Sequence, residues 1–258
     1  MARKKRRRDP EFDSFDAARE RYEPLREELR PYVEVCAGMR FLRNPFCNET
    51  IADLDRCGWI HECYDSRVAR YDECFESQDW EGCLNCIDIY FQPEWLAKDA
   101  EFLPDDRYWA LLGRVYQCQR VTLNDRDLFD EMFRAERPGR QHLMTPDEQA
   151  VFARLPKRLR VYRGYSQEDL YADGVAWTLD RRQALWWANW VPDDDLVMLA
   201  SGTISKEDVW AYFEGGDIML PSEKVRNRRD EDALNPAARA PWKEFMSPPF
   251  DVTPLLRK

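Results

Sequence analysis

The spacing of hydrophobic residues changes at Pro156, and that change limits the fold more than any other feature of the chain. Before it, apolar side chains recur every three or four residues, as in "RYWALLGRVYQCQRV" and "DRDLFDEMFRA", the period of amphipathic helices. After it come short runs rich in β-formers, "RLRVYRGY", "GVAWTL", "LVMLASGTI", "DVWAYF" and "DIMLP", separated by Gly, Asp and Ser. The order helices-then-strands predicts an α+β protein, with a helical first half and a small sheet domain with flanking helices.

Punctuation sharpens the division. "MTPDEQAVFARLP" predicts a helix with Thr145 as N-cap, Pro146 at the first helical position and Glu148 completing a capping box. Asp180 is placed to cap "RRQALWWANWV", whose apolar face includes Ala184, Leu185, Ala188 and Val191. A helical turn is expected at "SKED", starting near Ser205. The expected organisation is a disordered basic tail over 1–12, a helical, Cys-rich domain over 13–140, and a sheet domain over 141–258 ending in a polar tail from Arg226.

Charge restricts the partners. The net charge is -10, although Arg3 to Arg8 are all basic, so the rest of the chain is more acidic still. Such a body repels phosphate backbones, which leaves the N-terminal tail as the place for nucleic-acid contact. With neither an apolar leader nor a bilayer-length apolar run, the expectation is a cytoplasmic protein without membrane contact.

All eight cysteines lie in the first half of the chain. Cys57, His61, Cys83 and Cys86, in "CGWIHEC" and "CLNC", could supply four zinc ligands, since a Cys and a His four residues apart share a helix face. Only one tight Cys-x-x-Cys pair is present, however, and reduced, buried thiols acting as small hydrophobes explain the same residues and are favoured.

At "VYRGY", "GVAWTLDRRQALWWA" and "DVWAYFEGGDIML", taken in that order, the chain resembles the ADP-ribosyltransferase fold, in particular its phage- and bacterium-encoded members. The resemblance covers about 141–225 and implies a split β-sheet that binds NAD. It further implies transfer of ADP-ribose to a macromolecular acceptor, a protein foremost, through an oxocarbenium-like species. By the same resemblance Arg163 would clamp phosphate and ribose oxygens, a task suited to a planar guanidinium. Gly164 would let backbone approach the ligand, or serve a turn. Trp177 and Thr178 would form the far wall, with Trp177 stacking on nicotinamide or packing in the core. Asp217 would take the place of the family's catalytic glutamate, and a bulge at Gly215 and Gly216 could bring in Glu214 instead. Glu223 is a third acid, read as a solvated turn residue. Tyr212 and Phe213 would contact acceptor or nicotinamide, or else pack beneath the loop. Trp186, Trp187 and Trp190 are read as helix packing.

Two positions depart from the family pattern. Ala176 stands where a serine would orient the catalytic strand, and Gly215 where a second acid or glutamine would help the acceptor. The alternatives are therefore a catalytically silent relative that binds NAD or a protein, or a structural phage-type protein acting through its helical half.

Overall fold

The computed structural model describes residues 22–118, 126–166, 173–189, 197–234 and 250–256. The basic tail at Arg3–Arg8, together with Trp190 and Val191, lies outside them. Helix and sheet are mixed, as the α+β expectation requires. The chain divides into two compact units, Met1–Glu101 and Phe102–Lys258, earlier than the change of spacing suggests.

The first unit is not wholly helical. After a 3-10 helix at Glu27–Tyr32 it forms an antiparallel meander of β1 (Val33–Cys36), β2 (Met39–Asn44) and β3 (Cys47–Ile51). Ala37 and Gly38, both at positive φ, make the tight β1–β2 turn. Their run "VCAGMRF" is too short to show a period of two, which is why the helical reading absorbed it. The helices α1 (Gly58–Glu76), α2 (Trp80–Cys86) and α3 (Gln92–Lys98) follow. Leu25, Leu29, Leu42, Cys47, Ile51, Cys57 and Ile60 close one core, joining the chain start, the meander and α1. A second set of contacts is aromatic: Phe46, Phe75 and Trp95 surround the Tyr71 ring with centroids 5.3–6.5 Å away.

In the second unit, α4 (Asp105–Cys118) buries Tyr108, Trp109, Leu111, Leu112 and Val115. Next come α5 (Arg126–Arg134) and α6 (Pro146–Arg154). At α6 the Thr145 side chain accepts from the Glu148 N–H and the Glu148 carboxylate accepts from the Thr145 N–H, the capping box in full. Six strands form one antiparallel sheet in the order β7-β8-β5-β4-β6-β9. They are β4 (Arg158–Ser166), β5 (Ala176–Thr178), β6 (Val197–Ser205), β7 (Ala211–Tyr212), β8 (Asp217–Met219) and β9 (Arg226–Asp232). Helix α7 (Arg181–Ala188), with the Asp180 side chain accepting from the Arg182 N–H, packs on β4. A 3-10 turn at Lys206–Asp208 takes the "SKED" position.

The segment from Arg226 is a strand rather than a tail. β9 pairs with β6 at the sheet edge, and its "RNRRDED" composition hides it because both faces are largely exposed. Charged side chains on such an edge discourage pairing with another chain.

Candidate functional site

Three adjacent central strands fix the geometry. Tyr162 on β4 stands opposite Thr178 on β5, and Thr178 stands opposite Asp217 on β8. Directly paired residues share a face, so these three lie on one side of the sheet. The register thus delivers Asp217 to the middle of the sheet's far end, at the first residue of its strand.

A five-residue turn controls the approach to Asp217. The Phe213 N–H donates to the Asp217 carbonyl at 2.7 Å, closing the turn around Gly215 and Gly216 at φ 93° and 98°. Gly216 is needed twice: a side chain there would adopt an unfavoured conformation and collide with the Phe250 ring. The Gly216 carbonyl accepts from the Leu179 N–H at 2.8 Å and lies 3.2 Å from Thr178 Oγ1. Thr178 is buried; its hydroxyl proton is shared between Gly216 O and Gln183 Oε1, while its oxygen accepts from the Asp180 N–H. Thr178 therefore does not face a ligand. It fixes the Gly216 carbonyl, next to the start of the strand that carries Asp217.

Asp217 is the unusual group. It is half-buried, and the protein around its carboxyl excludes much of the water. Among the described residues no side chain hydrogen-bonds its carboxyl. Burial without a compensating partner pushes it up to about 7, so it exchanges a proton near neutrality. Tyr116 of α4 packs on the turn that leads to it. The Tyr116 ring stacks on Phe213, with centroids 5.4 Å apart at 28°, and meets Phe129 and Phe133 edge-on. Burial first, and then the Asp217 charge, push the Tyr116 phenol up, while the Arg163 charge pulls it the other way. No sequence motif marks Tyr116; it sits in the helical stretch that periodicity assigns to the first domain.

The remaining expected residues are dispersed. Arg163 is half-buried and, by alternation from Tyr162, leaves β4 on the face opposite Thr178 and Asp217. Its guanidinium donates to the Ala176 carbonyl and lies against Gly174. Gly164 does not admit a ligand: a β-carbon there would strike the Ala184 carbonyl and Ala188, so the glycine serves the close approach of α7. Trp177 is buried at 2% exposure, with its indole N–H between Gly174 O and Ser222 Oγ, both at 3.0 Å. Tyr212 is equally buried, and its N–H points at Met144 Sδ. Both are interior residues and not cleft walls. Glu214 is exposed, with its N–H donating to Glu148 Oε1 at 3.0 Å, and no bulge brings it to Asp217's position. Glu223 pairs with Arg134 at 3.3 Å. Trp186 is buried against α7's neighbours, edge-on to the exposed Trp187.

The four zinc candidates do not assemble. His61 accepts the Arg26 N–H on Nε2 at 3.2 Å and donates from Nδ1 to Glu23 Oε1 at 2.8 Å, so both ring nitrogens are engaged. The Cys57 thiol donates to the Asp53 and Leu54 carbonyls. Cys83 and Cys86 instead neighbour Cys74. Burial pushes the Cys47 and Cys83 thiols up to about 12, which disfavours the thiolate a metal needs. Among the described residues no group of three or more His, Cys, Asp or Glu could hold a metal ion, and no helix is long and apolar enough to cross a membrane.

Compared with models of known protein families, with curated proteins and with solved structures, the chain matches none.

Proposed function

We propose that the second unit is an NAD-dependent mono-ADP-ribosyltransferase-like domain with Asp217 as its catalytic acid. The observation that carries this reading is a half-buried carboxyl at the start of a sheet strand, with no hydrogen-bond partner among the described residues and pushed up to about 7 by burial. Enclosed, perturbed acids of this kind concentrate at functional sites. In the proposed reaction the bond between ribose C1′ and nicotinamide breaks, its electron pair going to the ring nitrogen, which leaves neutral. The acceptor's nucleophile bonds to C1′ and loses its proton to solvent. Ionised Asp217 stabilises the positive charge that develops on the sugar between these events, an effect worth most in a site shielded from water. Thr178 supports the reading by holding the Gly216 carbonyl, and with it the strand start.

Arg163 favours a second reading. Its guanidinium is engaged with Ala176 O, one residue type short of the family's polar pattern, and lies on the far face from Asp217. A module that binds NAD without cleaving it would tolerate that placement. Incubation of the full chain with NAD, following nicotinamide release with and without a cell extract, separates the two. Release that disappears in Asp217→Asn supports the transferase; NAD binding without release supports the silent module. Neither binding nor release overturns both.

A further inference from the structure

The outer edge of β9 carries its charge in two blocks. Along "RNRRDED", Arg226, Arg228 and Arg229 come first, and Asp230, Glu231 and Asp232 follow. β9 pairs with β6 on one side, and among the described residues no strand pairs with the other. All its residues but Arg228 are exposed, so the edge is open to solvent. The Ala233 N–H donates to the Val197 carbonyl at 2.9 Å, and in an antiparallel ladder that direction repeats at every second residue. Arg229 and Glu231 therefore turn their backbone groups toward β6, while Arg228, Asp230 and Asp232 turn theirs outward. Asn227, at φ 54°, and the register shift between Ser201 and Thr203 mark a bulge. Beyond it, 228–232 form a regular five-residue edge.

An edge charged with one sign repels every copy of itself, whereas an edge charged in two blocks does not. A parallel copy in register sets like against like, and an unrelated strand lacks the matching pattern, so the edge still discourages general pairing. An antiparallel copy reverses the order and brings each basic block to the other's acidic block. The outward backbone groups admit a two-fold pairing centred on Asp230. There Arg228 stands opposite Asp232 of the second copy and Arg229 opposite its Glu231, each pair occurring twice. The one like pair, Asp230 with its own copy, is softened inside each chain. Its Oδ1 accepts from Arg228 at 3.1 and 3.2 Å and from the Tyr165 hydroxyl at 3.0 Å. Glu231 meets Arg181 at 2.7 Å in a half-exposed pair, which leaves the carboxylate open to a second cation. We propose that β9 is a homodimer edge, through which two copies of this chain join their sheets antiparallel over 228–232, with the split charge selecting the partner. The proposal stands apart from the NAD reading and uses none of its residues.

Sedimentation velocity of the full chain over a concentration series tests this, using Arg229→Glu, Glu231→Arg and the two combined. The wild type should show a reversible monomer–dimer equilibrium that weakens as salt rises. Each single reversal turns two attractive cross-strand pairs into repulsive ones and should weaken the dimer about tenfold or more. Mixing the two single variants should restore it, because each then meets its opposite charge. The combined variant should dimerise as the wild type does, for the same reason. Both positions are exposed, so the unfolding midpoints should stay close to the wild type. If a single variant fails to fold, the salt series and the combined variant decide. A wild type that stays monomeric up to its solubility limit overturns the proposal. So does a dimer that ignores salt or either reversal, a mixture that does not recover it, or a combined variant that loses it.

Discussion

The two units differ at one enclosed polar group. In the first, interior and half-buried polar groups are paired: His61 between Glu23 and the Arg26 N–H, and the Tyr71 hydroxyl between Asp99 and the Trp95 indole. At its surface Arg26 meets Asp65 through two bonds of 2.6 and 2.7 Å. Burial pushes the Cys47, Cys57, Cys83 and Cys86 thiols toward the neutral form. In the second, the half-buried Asp217 carboxyl has no hydrogen-bond partner among the described residues. Pairing stabilises a fold and leaves little for a ligand, whereas an unsatisfied enclosed acid costs stability and offers binding energy. The contrast gives scaffold character to the groups described in the first unit, and under the proposed function ligand chemistry to Asp217.

Four measurements break or sharpen this contrast. The largest effect belongs to Asp217→Asn. The rate of nicotinamide release should fall by about 100-fold or more, the scale of losing a charge placed for the transition state. The unfolding midpoint should not fall, because the neutral amide is cheaper to enclose; a lower midpoint would make Asp217 a scaffold group after all. Next is pH. The folded chain holds the Asp217 proton up to about 7, whereas an unfolded aspartate releases it near 4, so unfolding releases a proton between these values. This contribution to stability is complete below about pH 4 and is lost as pH rises through 7. Between pH 5 and 7 the wild type should lose up to about 2 kcal/mol relative to Asp217→Asn in denaturant unfolding followed by tryptophan fluorescence. Activity should rise over the same range as the carboxylate forms.

His61→Ala should act in the reverse sense. It removes a buried ring and the acceptor of the Arg26 N–H, so stability should fall by about 2 kcal/mol while NAD affinity stays unchanged. Weaker NAD binding in this variant would break the division of labour between the units. The smallest effect is expected from Asp65→Ala. Its pair with Arg26 is well exposed, and chemical denaturation should register less than about 1 kcal/mol.

Much of the second unit was legible in the chain because its signals are local. Thr145 and Glu148 form their box, Asp180 caps α7, β6 is buried on both faces and nearly continuously apolar, and β4 alternates exposed and buried residues over 158–161. The β1–β3 meander and β9 were not legible. The first is short and rich in exposed side chains, and the second is charged along its length, so neither displays an alternating apolar face. For the site, strand register puts Asp217 opposite Thr178, as the motif order suggests, but Thr178 is engaged inside the protein rather than placed for a cofactor. Gly164, Trp177 and Tyr212 serve packing, since the same residue types suit close packing and ligand contact alike. The place of Tyr116 follows from tertiary packing of α4 against Phe213, which nothing in "RVYQC" announces.

One carboxylate joins two of these features. Glu148 completes the cap of α6 through one oxygen and accepts the Glu214 N–H through the other, at the head of the turn that leads to Asp217. The start of a helix and the shape of a distant turn consequently share a single point of failure. Drift at position 148 unsettles both at once, and one compensating change must restore both.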